Sequence, residues 1–128
     1  MLRLFKPGMV LLLFILITFR AMAQVSIVPK PAELIMAPAA DSFVISPQTV
    51  FVVSSPKLQP SADFLNSYIK EIYGFSLKTG KKQVKANSIN LQMQQPGGTS
   101  GAYTLTVNPK SVAIEGADES GVFYGMQS

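Results

Sequence analysis

The alternation of apolar and polar side chains is sharpest near the end of the chain. Tyr103, Leu105 and Val107 alternate with Thr104 and Thr106, and Val112 and Ile114 alternate with Ala113 and Glu115. Each run predicts a strand with one buried face. Asn108-Pro109-Lys110-Ser111 between them reads as a turn, with proline suited to its second position. Asp118 then offers a helix N-cap ahead of Glu119-Ser120-Gly121-Val122-Phe123-Tyr124-Gly125-Met126-Gln127-Ser128. No C-capping glycine, proline or basic last turn closes that helix, so the sequence is expected to be the front of a longer protein.

Upstream, Ile89, Leu91 and Met93 alternate with Asn90, Gln92 and Gln94, which predicts a strand with one wet face. Residues 49–53 are β-branched and aromatic on both faces and predict an interior strand covered on both sides. The short apolar runs 34–36 and 43–45 are expected to pair around Ala37-Pro38-Ala39-Ala40-Asp41, and 95–101 reads as a flexible loop. One helical period stands out over 60–73, where Phe64, Leu65, Tyr68, Ile69 and Ile72 fall on one arc at about 100° per residue. Asp63 in the first turn suits the dipole, Gly74 is placed to end the helix, and either Gln59 or Ser61 serves as its cap. Strands with two helices and no regular βαβ alternation predict an α+β fold: a largely antiparallel β-sheet with two helices packed on one face. Tyr68, Tyr73 and Tyr103 fall at helix or strand positions where aromatic core is the default.

The stretch GAYTLTVNPKSVAIEGADESGVFYGMQS resembles the end of the small N-terminal domain of bacterial β-N-acetylhexosaminidases, glycoside hydrolase family 20. In that family a hairpin runs into an Asp-x-x-Gly-x-x-Tyr-Gly-x-Gln-Ser/Thr helix, matched here in order by Asp118, Gly121, Tyr124, Gly125, Gln127 and Ser128. Val28-Pro29-Lys30-Pro31 is similar to the family's opening segment, so the resemblance spans roughly residues 25–128. It implies a non-catalytic α+β domain whose partner is the catalytic (β/α) barrel of the same full-length protein, with a glycan substrate reached through that barrel. Similar small domains precede the barrels of other glycosidases, including α-glucuronidases and O-GlcNAc hydrolases, and a free-standing carbohydrate- or partner-binding module is the further alternative. The absence of tryptophan weakens that last reading, since sugar binding prefers flat aromatic platforms.

The first residues set an expected compartment. Arg3 and Lys6 precede an apolar run over 9–19, and Ala21-Met22-Ala23 supplies a small-x-small cleavage site. The run is shorter than the roughly 20 residues of a membrane span. Residues 1–23 are thus expected to be a signal peptide cut after Ala23, leaving an exported, periplasmic or extracellular domain over 24–128 with no membrane attachment. Without cysteine that domain has neither disulfides nor a lipid-modified cysteine anchor. Arg3, Lys6 and Arg20 are three of the 11 basic residues, so removing the leader leaves eight against 7 acidic ones. Lys78, Lys81, Lys82 and Lys85 cluster without interleaved aromatics, which reads as a solvated loop and indicates no nucleic-acid partner.

The candidate chemistry is thin. With neither histidine nor cysteine, Ser-His-Asp and Cys-His nucleophiles and ordinary zinc sites are excluded. Gly80-Lys81 lacks the partner glycine and the following Ser/Thr of a phosphate loop, since Phe75 and Lys82 stand there. Asp118-Glu119 invites comparison with the adjacent Asp-Glu pair that the resemblance implies on the family's barrel, where the Asp positions the substrate's acetamido group and the Glu is the general acid. Here the pair opens a helix after a hairpin, so capping and dipole stabilisation account for it. Gly121 and Gly125 share a helix face and are expected to let that helix approach the sheet, with Val122 and Met126 beside them. A sugar contact by Tyr124 has no support in the sequence. No catalytic, cofactor-binding or metal residue is therefore assigned.

Overall fold

Each run of alternation becomes a strand, and the sheet they build is held by rows of apolar side chains on one face. The computed structural model describes residues 31–36, 42–94 and 98–128. In chain order the elements are β1 (Val50–Val53), a 3-10 turn (Pro56–Leu58), α1 (Gln59–Tyr73), β2 (Lys78–Gly80), β3 (Ser88–Met93), β4 (Tyr103–Asn108), β5 (Ser111–Gly116) and α2 (Glu119–Gln127). They form one five-stranded sheet in the order β2-β1-β3-β5-β4. Val53 lies opposite Leu91, Leu91 opposite Ile114, and Ile114 opposite Leu105, one apolar row across four strands. Ala62 and Ile69 of α1 and Val122 of α2 complete the same core with Phe51, Leu58 and Ile89. Both helices therefore cover one face.

The α+β class and the two helices hold, but the sheet is mixed rather than largely antiparallel. β1 is parallel to both β2 and β3, and β3 is parallel to β5; only the β4–β5 hairpin is antiparallel. The physical reason is that β1, α1 and β2 form a βαβ crossover. Its first strand, Val-Phe-Val-Val, is a continuous apolar run of the kind parallel strands show. Its second strand, Lys-Thr-Gly, carries no apolar alternation at all and is invisible to pattern reading. The wet face expected on β3 is corrected at Asn90, while Gln92 is half-buried and Gln94 exposed. Asn90 is only 7% exposed, because a parallel strand with neighbours on both edges lies under the 81–87 connection.

Other expectations shift in detail. Residues 34–36 and 43–45 are in no strand, and Ile35 and Val44 project into solvent while only Phe43 reaches the core. Two three-residue strands would supply too few ladder bonds to offset the ordering of the chain. Helix α1 begins after Leu58, which makes no side-chain cap; Ser55 instead caps the 3-10 turn that leads into it. Neither Gln59 nor Ser61 is the cap, and Asp63 lies just past the first turn, where it accepts from Gln59 Nε2 at 2.8 Å. Gly74 ends the helix as expected, in the left-handed region at φ 76°, its N–H bonded to the Lys70 carbonyl. The expected leader and cleavage point lie outside the described residues.

Asn87 is a junction that the sequence did not signal. It sits at φ 55°, a conformation asparagine tolerates better than most residues. Its backbone carbonyl accepts from Val50 N, its N–H donates to the Lys110 carbonyl, and its Oδ1 accepts from Thr49 Oγ1 at 2.6 Å. The starts of β1, β3 and β5 are thereby tied together.

Candidate functional site

The residues that carry the family resemblance converge at one corner, where α2 meets the β4–β5 hairpin. Asp118 is the N-cap of α2, and its Oδ1 accepts from Gly121 N at 2.8 Å. The same carboxylate takes the Ser100 hydroxyl at 2.7 Å and the Gly101 N–H at 3.2 Å. The Ser100 hydrogen bond, followed by the backbone N–H of Gly121, holds its pKa below the ordinary aspartate value. The end of the 95–101 loop is thus pinned rather than free. Gly101 itself is at φ 76°, close to the Tyr124 ring. Glu119 is half exposed and pairs loosely with Lys57 at 3.5 Å, a bridge of little energetic weight.

Gly121, Val122 and Gly125 are buried against the sheet, with Met126 partly buried beside them, as the spacing predicts. A Cβ at Gly125 would lie 2.7 Å from Ile114 Cγ2, and one at Gly121 would run into the backbone carbonyl of Ala102. Glycine is required at both points because the helix rests directly on the strands. Tyr103 Oη and Ser128 Oγ lie 2.6 Å apart, and the Ser128 hydroxyl also donates to the Tyr124 carbonyl. Tyr103 is half-buried, whereas Tyr68 and Tyr73 are exposed; the expectation of aromatic core is corrected for those two. Their helix presents its wider arc to solvent, because Ser61 and Ala62, not the aromatics, lie closest to the sheet.

Lys78, Lys81, Lys82 and Lys85 are all exposed around the edge strand β2 and its exit. On the sheet face opposite the helices, Gln83, Val84 and Lys85 border a shallow hollow of about 240 Å³ with Ser88, Asn90 and Ser111. Asn90 Nδ2 donates to Ser88 Oγ and the Val112 carbonyl, while its buried Oδ1 has no partner. Among the described residues no three of His, Cys, Asp and Glu gather as a metal site. What the corner can do chemically is hold α2 rigidly; Asp118 is fully committed as an acceptor, and Glu119 faces water.

The model of "Glycosyl hydrolase family 20, domain 2" matches residues 24–128. The chain belongs to that family. A search of the curated proteins finds no match. Among solved structures, the fold is similar to an inactive mutant of a GH20 exo-β-N-acetylglucosaminidase from Vibrio harveyi, at 23% identity and a TM-score of 0.62, covering 75% of this chain and 14% of that one. It is also similar to a GH20 β-N-acetylhexosaminidase from Streptomyces coelicolor A3(2), at 19% identity and a TM-score of 0.65, covering 77% of this chain and 19% of that one. A GH138 enzyme targeting pectin rhamnogalacturonan II shares the fold more loosely, with a TM-score of 0.50 and 14% identity over 61% of this chain. The fold alone is therefore not peculiar to one glycosidase family; the family 20 model is what decides. The family 20 domain described here spans only a small part of the solved enzymes it resembles.

Proposed function

We propose that this chain is the accessory N-terminal domain of an exported β-N-acetylhexosaminidase, which removes terminal N-acetyl-β-hexosamine residues from glycans through a catalytic barrel in the same protein. The observation that carries the reading is the family match over residues 24–128. The match begins next to the expected cut after Ala23, which supports a leader ahead of the domain. The commitment of Asp118 to three donors supports a structural rather than a catalytic Asp-Glu pair.

The 128-residue chain should leave a chromogenic N-acetyl-β-glucosaminide at background, and the protein encoded by the complete gene should hydrolyse it. Glu119→Gln in that longer protein should leave kcat unchanged. Turnover by the 128-residue chain that vanished with Glu119→Gln would overturn the accessory role. Mass spectrometry of the exported product should find Gln24 at its N-terminus; an intact Met1 in the membrane fraction would remove the export part of the reading.

A further inference from the structure

The strand order forces a strap across the sheet face that the helices leave open. β2 and β3 flank β1 and run parallel to it, so the chain leaving β2 has to pass over β1 to begin β3. α1 makes the β1-to-β2 crossover on the helix face, and crossovers of one hand that step in opposite directions lie on opposite faces. Residues 81–87 therefore run over the far face, where Gln83, Val84 and Lys85 wall the hollow and Ser88, Asn90 and Ser111 floor it. One polar atom of that floor is unsatisfied. Asn90 Nδ2 donates to Ser88 Oγ at 3.1 Å and to the Val112 carbonyl at 3.2 Å. Those bonds fix the amide's orientation, since a flipped amide would set its oxygen against the carbonyl. Its Oδ1 is then left buried without a partner, in a residue 7% exposed, which is costly for an acceptor. Ser88 is fully buried, accepts from Asn90, and among the described residues gives its own hydrogen to none. Lys85 stands exposed at the rim, and none of the six lining residues is acidic.

We propose that the hollow beneath the 81–87 strap is a binding site for one neutral sugar unit, held by its hydroxyl or acetamido edge. Asn90 Oδ1 calls for an O–H or N–H donor, whereas the Ser88 hydroxyl and Lys85 call for an acceptor. Neighbouring hydroxyls, or an acetamido group, supply both kinds of group on one small ring. An inorganic anion has no proton for Asn90, and a cation meets Lys85 with no carboxylate to hold it. The volume of about 240 Å³ lies below the range of roughly 300–1,000 Å³ for drug-sized ligands, so one ring is the fitting size. No aromatic residue lines the hollow and Val84 is its one large apolar wall, so the grip is on the sugar's edge and its affinity weak. Because Oδ1 is covered, occupation displaces the strap. The glycan as source of that sugar rests on the hydrolase reading above; the site itself rests on the hollow and its unpartnered acceptor.

Titration of the isotope-labelled 128-residue chain with N-acetylglucosamine, followed by NMR, tests this directly. The backbone amides of Gln83, Lys85, Ser88, Asn90 and Ser111 should shift saturably with the sugar and stay still with inorganic sulfate. Asn90→Val should abolish the shifts. Lys85→Met changes an exposed side chain, should leave the melting point nearly unmoved and should weaken binding several-fold, which keeps the test decisive if Asn90→Val does not fold. Binding as tight as the parent's in both variants, or shifts clustered elsewhere on the domain, would overturn the site. No shift at the highest soluble sugar concentration would mean that water alone answers Asn90, and would overturn it equally. Shifts with sulfate but not with the sugar would make the strap an anion site and sink the proposal. If the full-length protein hydrolyses the chromogenic substrate while the 128-residue chain shows no shifts, the site falls and the hydrolase reading stands. Saturable shifts in a chain whose complete gene encodes no catalytic domain would keep the site and overturn that reading.

Discussion

The two helices lie on the same face of the same sheet, and they are held there by opposite means. α2 meets the sheet through its backbone: two glycines bring it onto β4 and β5, with Val122 fully buried and Met126 partly buried beside them. α1 carries an apolar arc of five residues, yet its contact with the core is made by Ser61, Ala62 and Ile69, with Leu65 partly buried, while Phe64, Tyr68 and Ile72 stay in water. For α2 the sequence signal is steric and points inward. For α1 the apolar arc and the buried arc are displaced from one another around the helix. An amphipathic pattern locates apolar side chains, but not which of two neighbouring surfaces they serve.

The comparison breaks most visibly at Ile69 and Tyr68. Ile69→Ala should cost about 2–5 kcal/mol, the usual loss for a buried aliphatic truncation, whereas Tyr68→Ala should stay within about 0.5 kcal/mol in the 128-residue chain. Denaturant melts that gave the two variants similar midpoints would mean the two arcs coincide. On α2 the expected sign is reversed, since adding atoms does the damage. Gly121→Ala gains up to about 1 kcal/mol in helix propensity. It loses more by overlap with the Ala102 carbonyl, as overpacking typically costs about 1–3 kcal/mol. Gly125→Leu should destabilise comparably through Ile114 and Tyr103. Thermal melts superimposable on the parent's would show that α2 does not rest on the strands.

Asp118 gives a smaller effect with a pH signature. Its carboxylate is held below the ordinary value of about 3.9, so the stability it confers is present above that pH and is lost as pH falls through the lowered folded-state value. Asp118→Asn should therefore melt earlier than the parent near neutrality, with the gap closing on acidification. A gap independent of pH would assign the effect to shape and not to charge.

Legibility followed the same division. The β4–β5 hairpin and α2 could be read because every signal there is local: strict alternation, a proline turn, a capping aspartate and glycines four apart. The Asn108 side chain even closes that turn by accepting from Lys110 N and Ser111 N. In the parallel half β1 and β3 could be read as strands but β2 could not, because it is three residues of Lys-Thr-Gly whose place is set by α1 and by the edge of β1. Residues 34–36 and 43–45 misled because uninterrupted apolar triplets carry no register, and only Phe43 found a cavity to fill. Of the corner, Asp118 as a cap was legible; its reach back to Ser100 and Gly101 was not, because those partners are 18 and 17 residues away.

The strand order has a consequence for how the domain is made. β5, which follows the other four strands in sequence, is inserted beside β3, in the interior of the sheet, and Val122 beyond it fills the core. A nascent chain released only as far as β3 therefore exposes a long apolar edge with no strand to cover it, the kind of surface that recruits foreign strands. Closure waits for β5 and α2 to emerge from the ribosome. Synthesis that stalls anywhere between Met93 and Val122 should yield an aggregation-prone intermediate instead of a shorter stable domain.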